Sequence, residues 1–292
     1  MNKGICFHFG YVYQDIEQQI KDIKLAGFNC VIDNADPAFK HENGPNKKRF
    51  KLFKKYNLKL SSLHMRYKGE ELPEFWKENK IGNKIEKNII KDVKVAYKYG
   101  FKCVVVHLLG CANQIGFCRL RRILKHCEKY NVPLALENLS LNRELLADTF
   151  KNVESDYLKF CYDSGHAHAF DEDYDYLTLY KDKVIALHLH DNLGNAPAGV
   201  YEKIGYNKTT KHGGEIKINK DLHTLNKYGS INWQELAKKL ANIPHEINLD
   251  YEVMMGYRRG ETSQEVLAEV YKQACELEKL INKLKNDNNE NL

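Results

Sequence analysis

The sequence predicts a single (β/α)8 barrel over residues 1–285, with a long loop after the seventh strand. Short apolar runs alternate with amphipathic segments from end to end, and eight apolar runs can be placed. The 292 residues suit such a barrel, for which about 250 is usual. A doubly wound sheet would place a Gly-rich phosphate loop after its first strand, and only Gly10-Tyr11-Val12-Tyr13 follows Phe9.

The strand runs are 4–9, 29–33, 59–64, 103–108, 133–138, 159–163, 184–190 and 247–253. Their apolar content and β-branched or aromatic residues fit strands buried on both faces. Helical periodicity falls on 15–26, 85–99, 120–130, 233–240 and 263–284. Gly27, Gly100 and Asn131 stand just past helical stretches, where a left-handed residue closes a helix. The polar segment 286–292 is expected to be a disordered tail. Between Asn192 and Lys220 about 30 residues carry five glycines and no helical period. A loop that long is expected to be functional, here a mobile lid over the barrel mouth.

Composition excludes several classes. At 43% hydrophobic and 29% charged residues the chain is globular, and no run of 18 uncharged apolar residues offers a membrane span. The N-terminus lacks the pattern of a signal peptide, so a cytoplasmic location is expected. The net charge, 45 − 39 = +6, favours an anionic ligand without being the footprint of a nucleic-acid module. Eight cysteines without Cys-x-x-Cys spacing read as packing residues in a reducing cytosol.

The informative residues end the strands. From strand three to strand eight the C-terminal ends carry His64, His107, Glu137, Asp163, His188 and Glu252. Those ends converge on one rim of a barrel, where active sites sit. Gathering so many buried polar groups is costly unless a cation compensates, and a divalent metal does so. His166 lies three residues beyond Asp163, with Gly165 letting the chain turn. Asp221 and His223 form a second acidic–imidazole pair which, on a strand, shares one face. Periodicity does not choose between His188 and His190, and Asp191 is placed to orient either ring. His8, His168, His190 and Tyr67 line the same cavity either as substrate contacts or as structural filler. His41, His126, His212 and His245 read as surface residues.

These motifs together resemble a known group. Val104-Val105-Val106-His107, Ala135-Leu136-Glu137-Asn138, Cys161-Tyr162-Asp163-Ser164-Gly165-His166 and the run from Ala186 to Asn192 are similar to the xylose-isomerase-like sugar phosphate isomerase/epimerase family. So are Asp221-Leu222-His223, Gly229-Ser230-Ile231-Asn232-Trp233 and Glu252, and the resemblance runs from about Leu58 to Glu278. It implies one divalent metal, Zn or Mn, held by Glu137, Asp163, His188 and Glu252. It also implies that Glu137 and Glu252 act as acid and base through a metal-stabilised enediolate on a small sugar, polyol or sugar phosphate, with His166 contacting substrate.

The endonuclease IV branch of the superfamily holds three zinc ions with nine ligands. All nine have counterparts: His64, His107, Glu137, Asp163, His166, His188, Asp221, His223 and Glu252. The alternative function is therefore a zinc-dependent apurinic endonuclease, with nucleic acid as partner under that reading alone. Between the ligands the sequence departs from the nuclease: Asn138-Leu139-Ser140 follows Glu137, and Leu108-Leu109-Gly110 follows His107. An isomerase or epimerase with one to three metal ions is the expected function. No membrane partner is implied, and a homo-oligomer is compatible with these residues.

Overall fold

A computed structural model of the chain describes residues 1–7, 15–35, 46–196, 220–253 and 262–290. Eight parallel strands form one sheet: β1 (Lys3–Cys6), β2 (Cys30–Asn34), β3 (Lys59–His64), β4 (Cys103–Val106), β5 (Leu134–Glu137), β6 (Leu158–Asp163), β7 (Val184–His188) and β8 (Leu249–Tyr251). Their order is β7-β6-β5-β4-β3-β2-β1-β8. Between β7 and β8 the seam closes through a Leu189–Tyr251 bridge, with Leu189 N donating to Asp250 O at 2.8 Å and Glu252 N to Leu189 O at 3.0 Å. The result is a nearly closed (β/α)8 barrel.

Helices α1 (Ile16–Ala26), α2 (Asn46–Lys55), α3 (Lys80–Tyr99), α4 (Gln114–Tyr130), α5 (Arg143–Asn152), α6 (Ser164–Phe170), α7 (Tyr176–Tyr180), α8 (Trp233–Ala241) and α9 (Ser263–Glu290) accompany the strands. Asp15, Asn79, Asn113 and Asn232 cap N-termini with their side-chain oxygens, as orphan amide groups require. Gly27, Gly100 and Asn131 take left-handed conformations at the C-termini of α1, α3 and α4, as the sequence predicts. Aliphatic and aromatic side chains fill the layer between strands and helices. Inside the barrel a separate cluster of small residues, Cys103, Val105, Ala135, Cys161 and Ala186, fills the space.

Several expectations shift. Strands β4, β5, β7 and β8 are shorter at their C-terminal ends than the apolar runs, because the chain leaves the sheet where it enters the mouth. Helix α9 continues through Glu290, past the 285 boundary expected for ordered structure. Propagation adds one backbone bond per residue and does not need a buried face at each turn. Of the expected lid, residues 197–219 lie outside the described residues. Its two ends are joined by the antiparallel Asp191–Thr224 pair, with both backbone bonds at 2.9 Å.

Candidate metal centre

His64, Glu137, Asp163 and His188 are the last residues of β3, β5, β6 and β7, while His107 and Glu252 stand one residue beyond β4 and β8. All six meet at the mouth, and none of the four strand-ending side chains exceeds about 6% exposure. His64 Nε2 and His107 Nε2 are 2.9 Å apart, and His107 Nε2 lies 3.0 Å from Glu137 Oε2. His188 Nδ1 stands 3.2 Å from Glu137 Oε1 and 3.5 Å from Glu252 Oε2. Two glutamates thus flank one imidazole nitrogen.

Asp163 does two things. Its Oδ1 accepts the His166 backbone N–H at 2.6 Å and so caps α6. That cap brings the His166 ring back over the mouth, with Nε2 3.3 Å from Asp221 Oδ2. His223 Nε2 reaches Asp221 Oδ1 at 3.1 Å from the other side. Donor atoms within 4.8 Å of one another include His64–His107–Glu137, Asp163–His188–Glu252 and His166–His190–Asp221–His223.

Three of the imidazoles share one arrangement. His64 Nδ1 meets the Met65 carbonyl at 3.1 Å, His166 Nδ1 that of Asn138 at 2.9 Å, and His223 Nδ1 that of Glu252 at 2.7 Å. A carbonyl only accepts, so each Nδ1 donates, and each Nε2 is the nitrogen left to face a metal once its proton is displaced. Metal-bound histidines are oriented this way. Both ring nitrogens of His188 and Glu252 Oε1 are buried without a hydrogen bond. Orphaned polar atoms this deep fit a cation that would complete them.

The charges are interleaved. Burial raises the Glu137 carboxyl, yet His188 and His107 hold it well below the usual carboxylate range. Burial likewise acts against Asp163 and Asp221, which His166 with His190, and His223 with His166, hold below theirs. Against burial, Asp163 and Asp221 push His166 well up, and Cys161 with the two glutamates does so for His188. His223 is raised to about 9, chiefly by Asp221 against burial. Burial, with His64 and His166 adding to it, drives His107 to about 4 against the pull of Glu137, and leaves the ring neutral.

Some sequence readings need correction. Asp191 orients neither His188 nor His190: it accepts from Asn192 N, Ser230 N, Ile231 N and Trp233 Nε1, and so binds the 230–233 segment to the barrel. Asp221 and His223 are not on a strand. They face one point because His223 adopts a left-handed conformation, φ 44°. Gly165 makes no turn but sits inside α6 against the His190 ring. His168 lies apart from the cluster, bonded to Ser230 Oγ at 2.8 Å.

His190 is fully buried, its Nε2 3.0 Å from Asp163 Oδ1 and its ring stacked on His223 at 3.8 Å. Tyr67 is 40% exposed at the mouth, its ring 4.7 Å from His107. Burial and then Glu137 raise its phenol to about 12. His8 lies outside the described residues. Sequence reasoning missed Asn138, whose side chain donates to Asp163 O and accepts from Asp163 N, both at 2.8 Å. It missed Asn142, which grips Glu137 O at 2.9 Å and Leu139 N at 2.8 Å, and Cys161, whose sulfur lies within 4.8 Å of donor atoms of Glu137 and His188. An Asn directly after a ligand was the available signal for the first.

A family model described as a xylose isomerase-like TIM barrel matches residues 18–269, most of the chain. The chain belongs to the xylose isomerase-like TIM barrel family. Within it, the solved structure of a D-tagatose 3-epimerase-like protein aligns with a TM-score of 0.68 at 18% identity, over 99% of each chain. A sugar phosphate isomerase/epimerase from Parabacteroides distasonis ATCC 8503 aligns with a TM-score of 0.66 at 17% identity, over 94% of each chain. The uncharacterized protein y4fM of Sinorhizobium fredii (strain NBRC 101917 / NGR234) is 29% identical over 136 residues, 44% of this chain. The match spans 36% of that relative's length. Among the described residues no helix is long and apolar enough to cross a membrane.

Proposed function

We propose that this xylose isomerase-like barrel is a metal-dependent isomerase or epimerase of a small sugar, polyol or sugar phosphate. The flanking of His188 Nδ1 by Glu137 at 3.2 Å and Glu252 at 3.5 Å carries this reading. With Asp163 the three residues offer a four-ligand seat of mixed imidazole and carboxylate donors, which suits Zn²⁺ or Mn²⁺. A divalent ion there would polarise the substrate oxygens beside the carbon that exchanges its proton. The solved relatives' names, a D-tagatose 3-epimerase-like protein and a sugar phosphate isomerase/epimerase, support the same substrate class.

The chain's own groups do the rest. Glu137 and Glu252 come from β5 and β8, so each addresses the centre from its own side. One carboxylate takes the proton from the carbon next to the carbonyl and the other returns one to the opposite face. Asn142 fixes the Glu137 backbone, and the backbone bonds of Leu189 fix that of Glu252. Tyr67 is placed to meet the substrate at the rim, and its raised phenol stays protonated to donate a hydrogen bond. His166 reaches the same space.

A second reading rests on one observation. Five overlapping donor groups, which together use all nine candidate ligands, favour a trinuclear phosphodiesterase of the endonuclease IV type, whose substrate would be abasic DNA. Incubating the metal-loaded protein with candidate ketoses in D₂O separates the two. Exchange of the hydrogen next to the carbonyl is expected, falling about 10²–10⁴-fold in Glu137→Gln and Glu252→Gln. Nicking of abasic DNA without sugar exchange would replace the isomerase reading with the nuclease.

A further inference from the structure

The N-terminal end of the barrel, opposite the mouth, carries a second cavity. The ends of α2 and α3 and the starts of β3 and β4 line an open cavity of about 660 Å³. Lys51, Lys54, Lys59, Lys98 and Lys102 line it, and no acidic residue does. Five of the eleven lining residues are lysines, in a chain with 45 Lys+Arg among 292 residues.

Helix geometry explains part of this. Lysines in a last turn offset the carbonyl end of a helix, and Lys54 and Lys98 stand in the last turns of α2 and α3. Lys51 lies a turn earlier, and Lys59 and Lys102 belong to strand entries. Lys59 Nζ and Lys102 Nζ rest on the side-chain oxygens of Asn2 at 3.3 Å and Asn248 at 3.0 Å, both neutral partners. Among the described residues Lys51, Lys54 and Lys98 have no ion-pair partner. Like charges around a concavity add their potentials and draw an anion into it.

The cavity wall is not purely polar. The rings of Phe50 and Tyr99 lie 4.7 Å apart along it. Its volume is that of a one-ligand pocket, for which roughly 300–1,000 Å³ is usual. A single concavity of this size takes a small molecule, whereas a polymer needs an extended basic track.

We propose that this cavity binds a phosphorylated ligand with a planar apolar body, a nucleoside triphosphate being the plainest example, its phosphates on the lysines and its base against Tyr99. Lysine ammonium groups bind phosphate as point charges, and an aromatic face accepts a base by stacking. The site is independent of the mouth and of the reaction proposed there.

Calorimetric titration of the full chain with ATP, inorganic triphosphate and adenosine tests this. ATP should bind most tightly, triphosphate more weakly and adenosine least. The Lys54→Glu/Lys98→Glu variant changes two exposed side chains, and its melting temperature checks the fold. It should weaken ATP by about tenfold or more, the equivalent of ~1.4 kcal/mol. His223→Ala, at the mouth, should leave ATP affinity unchanged. Absence of ATP binding, or binding lost in His223→Ala but kept in the lysine variant, would overturn the assignment. Triphosphate binding as tightly as ATP would overturn the apolar body, and single-stranded DNA binding more tightly than ATP would make the occupant a polymer.

Discussion

Gly165 lies against the face of the His190 ring so closely that a Cβ there would stand 1.8 Å from Cε1 and 2.3 Å from Nδ1. The glycine is helical, and its φ is outside the left-handed region. Its missing side chain therefore serves approach rather than backbone freedom. His190 in turn bonds Asp163 and stacks on His223. The absence of one methyl group sets the spacing of two candidate ligands.

Gly165→Ala should accordingly destabilise the fold by about 1–3 kcal/mol, the usual range for overpacking a filled interior. Urea unfolding measures it. Adding His190→Ala removes the clashing ring, so the double variant should be less destabilised than the two single changes summed. Strict additivity would show that the ring moves aside without strain.

Asp191 makes a second forecast possible. Buried completely, it accepts from three backbone amides, at 2.8, 3.0 and 3.0 Å, and from the Trp233 indole at 2.6 Å. Asp191→Ala leaves these donors unpaired and should cost on the order of 3 kcal/mol. Protection of the Trp233 indole hydrogen against solvent exchange should fall with it. Unchanged exchange would mean that another acceptor replaces the carboxylate.

The strand ends are legible in the sequence because each puts one ionisable residue after an otherwise apolar run, as β3 does from Lys59 to His64. Helix α6 is not, because Ser164-Gly165-His166-Ala167-His168-Ala169-Phe170 has no apolar stripe. Its start depends on the Asp163 cap and its burial on contact with His190. The role of Asp191 was misread for a similar reason: Ser230, Ile231 and Trp233 lie about forty residues away, and nothing local announces them. The meeting of Asp221 and His223 required a left-handed φ that periodicity does not encode.

Asp250 supports a forecast in pH. It points into the barrel, where Ser61 Oγ donates to it and Cys30 Sγ approaches at 3.4 Å. Burial raises its carboxyl from 3.8 to about 6, although both contacts pull the other way. The folded state thus holds this proton more tightly than the unfolded chain. Ionising the carboxyl carries no penalty below pH 3.8, an increasing one between 3.8 and about 6, and a constant one above. At about 1.36 kcal/mol per unit the full penalty is on the order of 3 kcal/mol. Asp250→Asn cannot ionise, so its stability relative to the wild type should rise from pH 4 to pH 6.5 by about that amount. A pH-independent difference would place the carboxyl near its ordinary value.

Metal content gives the last forecast. His64 and His107 share Glu137 with the central seat, whereas Asp221 and His223 group with His166 and His190. One substitution in each outer group separates their contributions. Saturation with Zn²⁺ should load three ions per chain, and His64→Ala and His223→Ala should each remove one. The central seat keeps Asp163, His188 and Glu252 in both variants, so the melting temperature should still fall sharply when either is treated with a chelator. Isomerase chemistry needs only this central seat, and sugar exchange should survive in His64→Ala. Phosphodiester cleavage would need its neighbours as well. A wild type holding one ion, with content unchanged by His64→Ala, would reduce the outer groups to hydrogen-bonded histidines. Exchange activity lost together with the His64 ion would instead show that the reaction uses more than one metal.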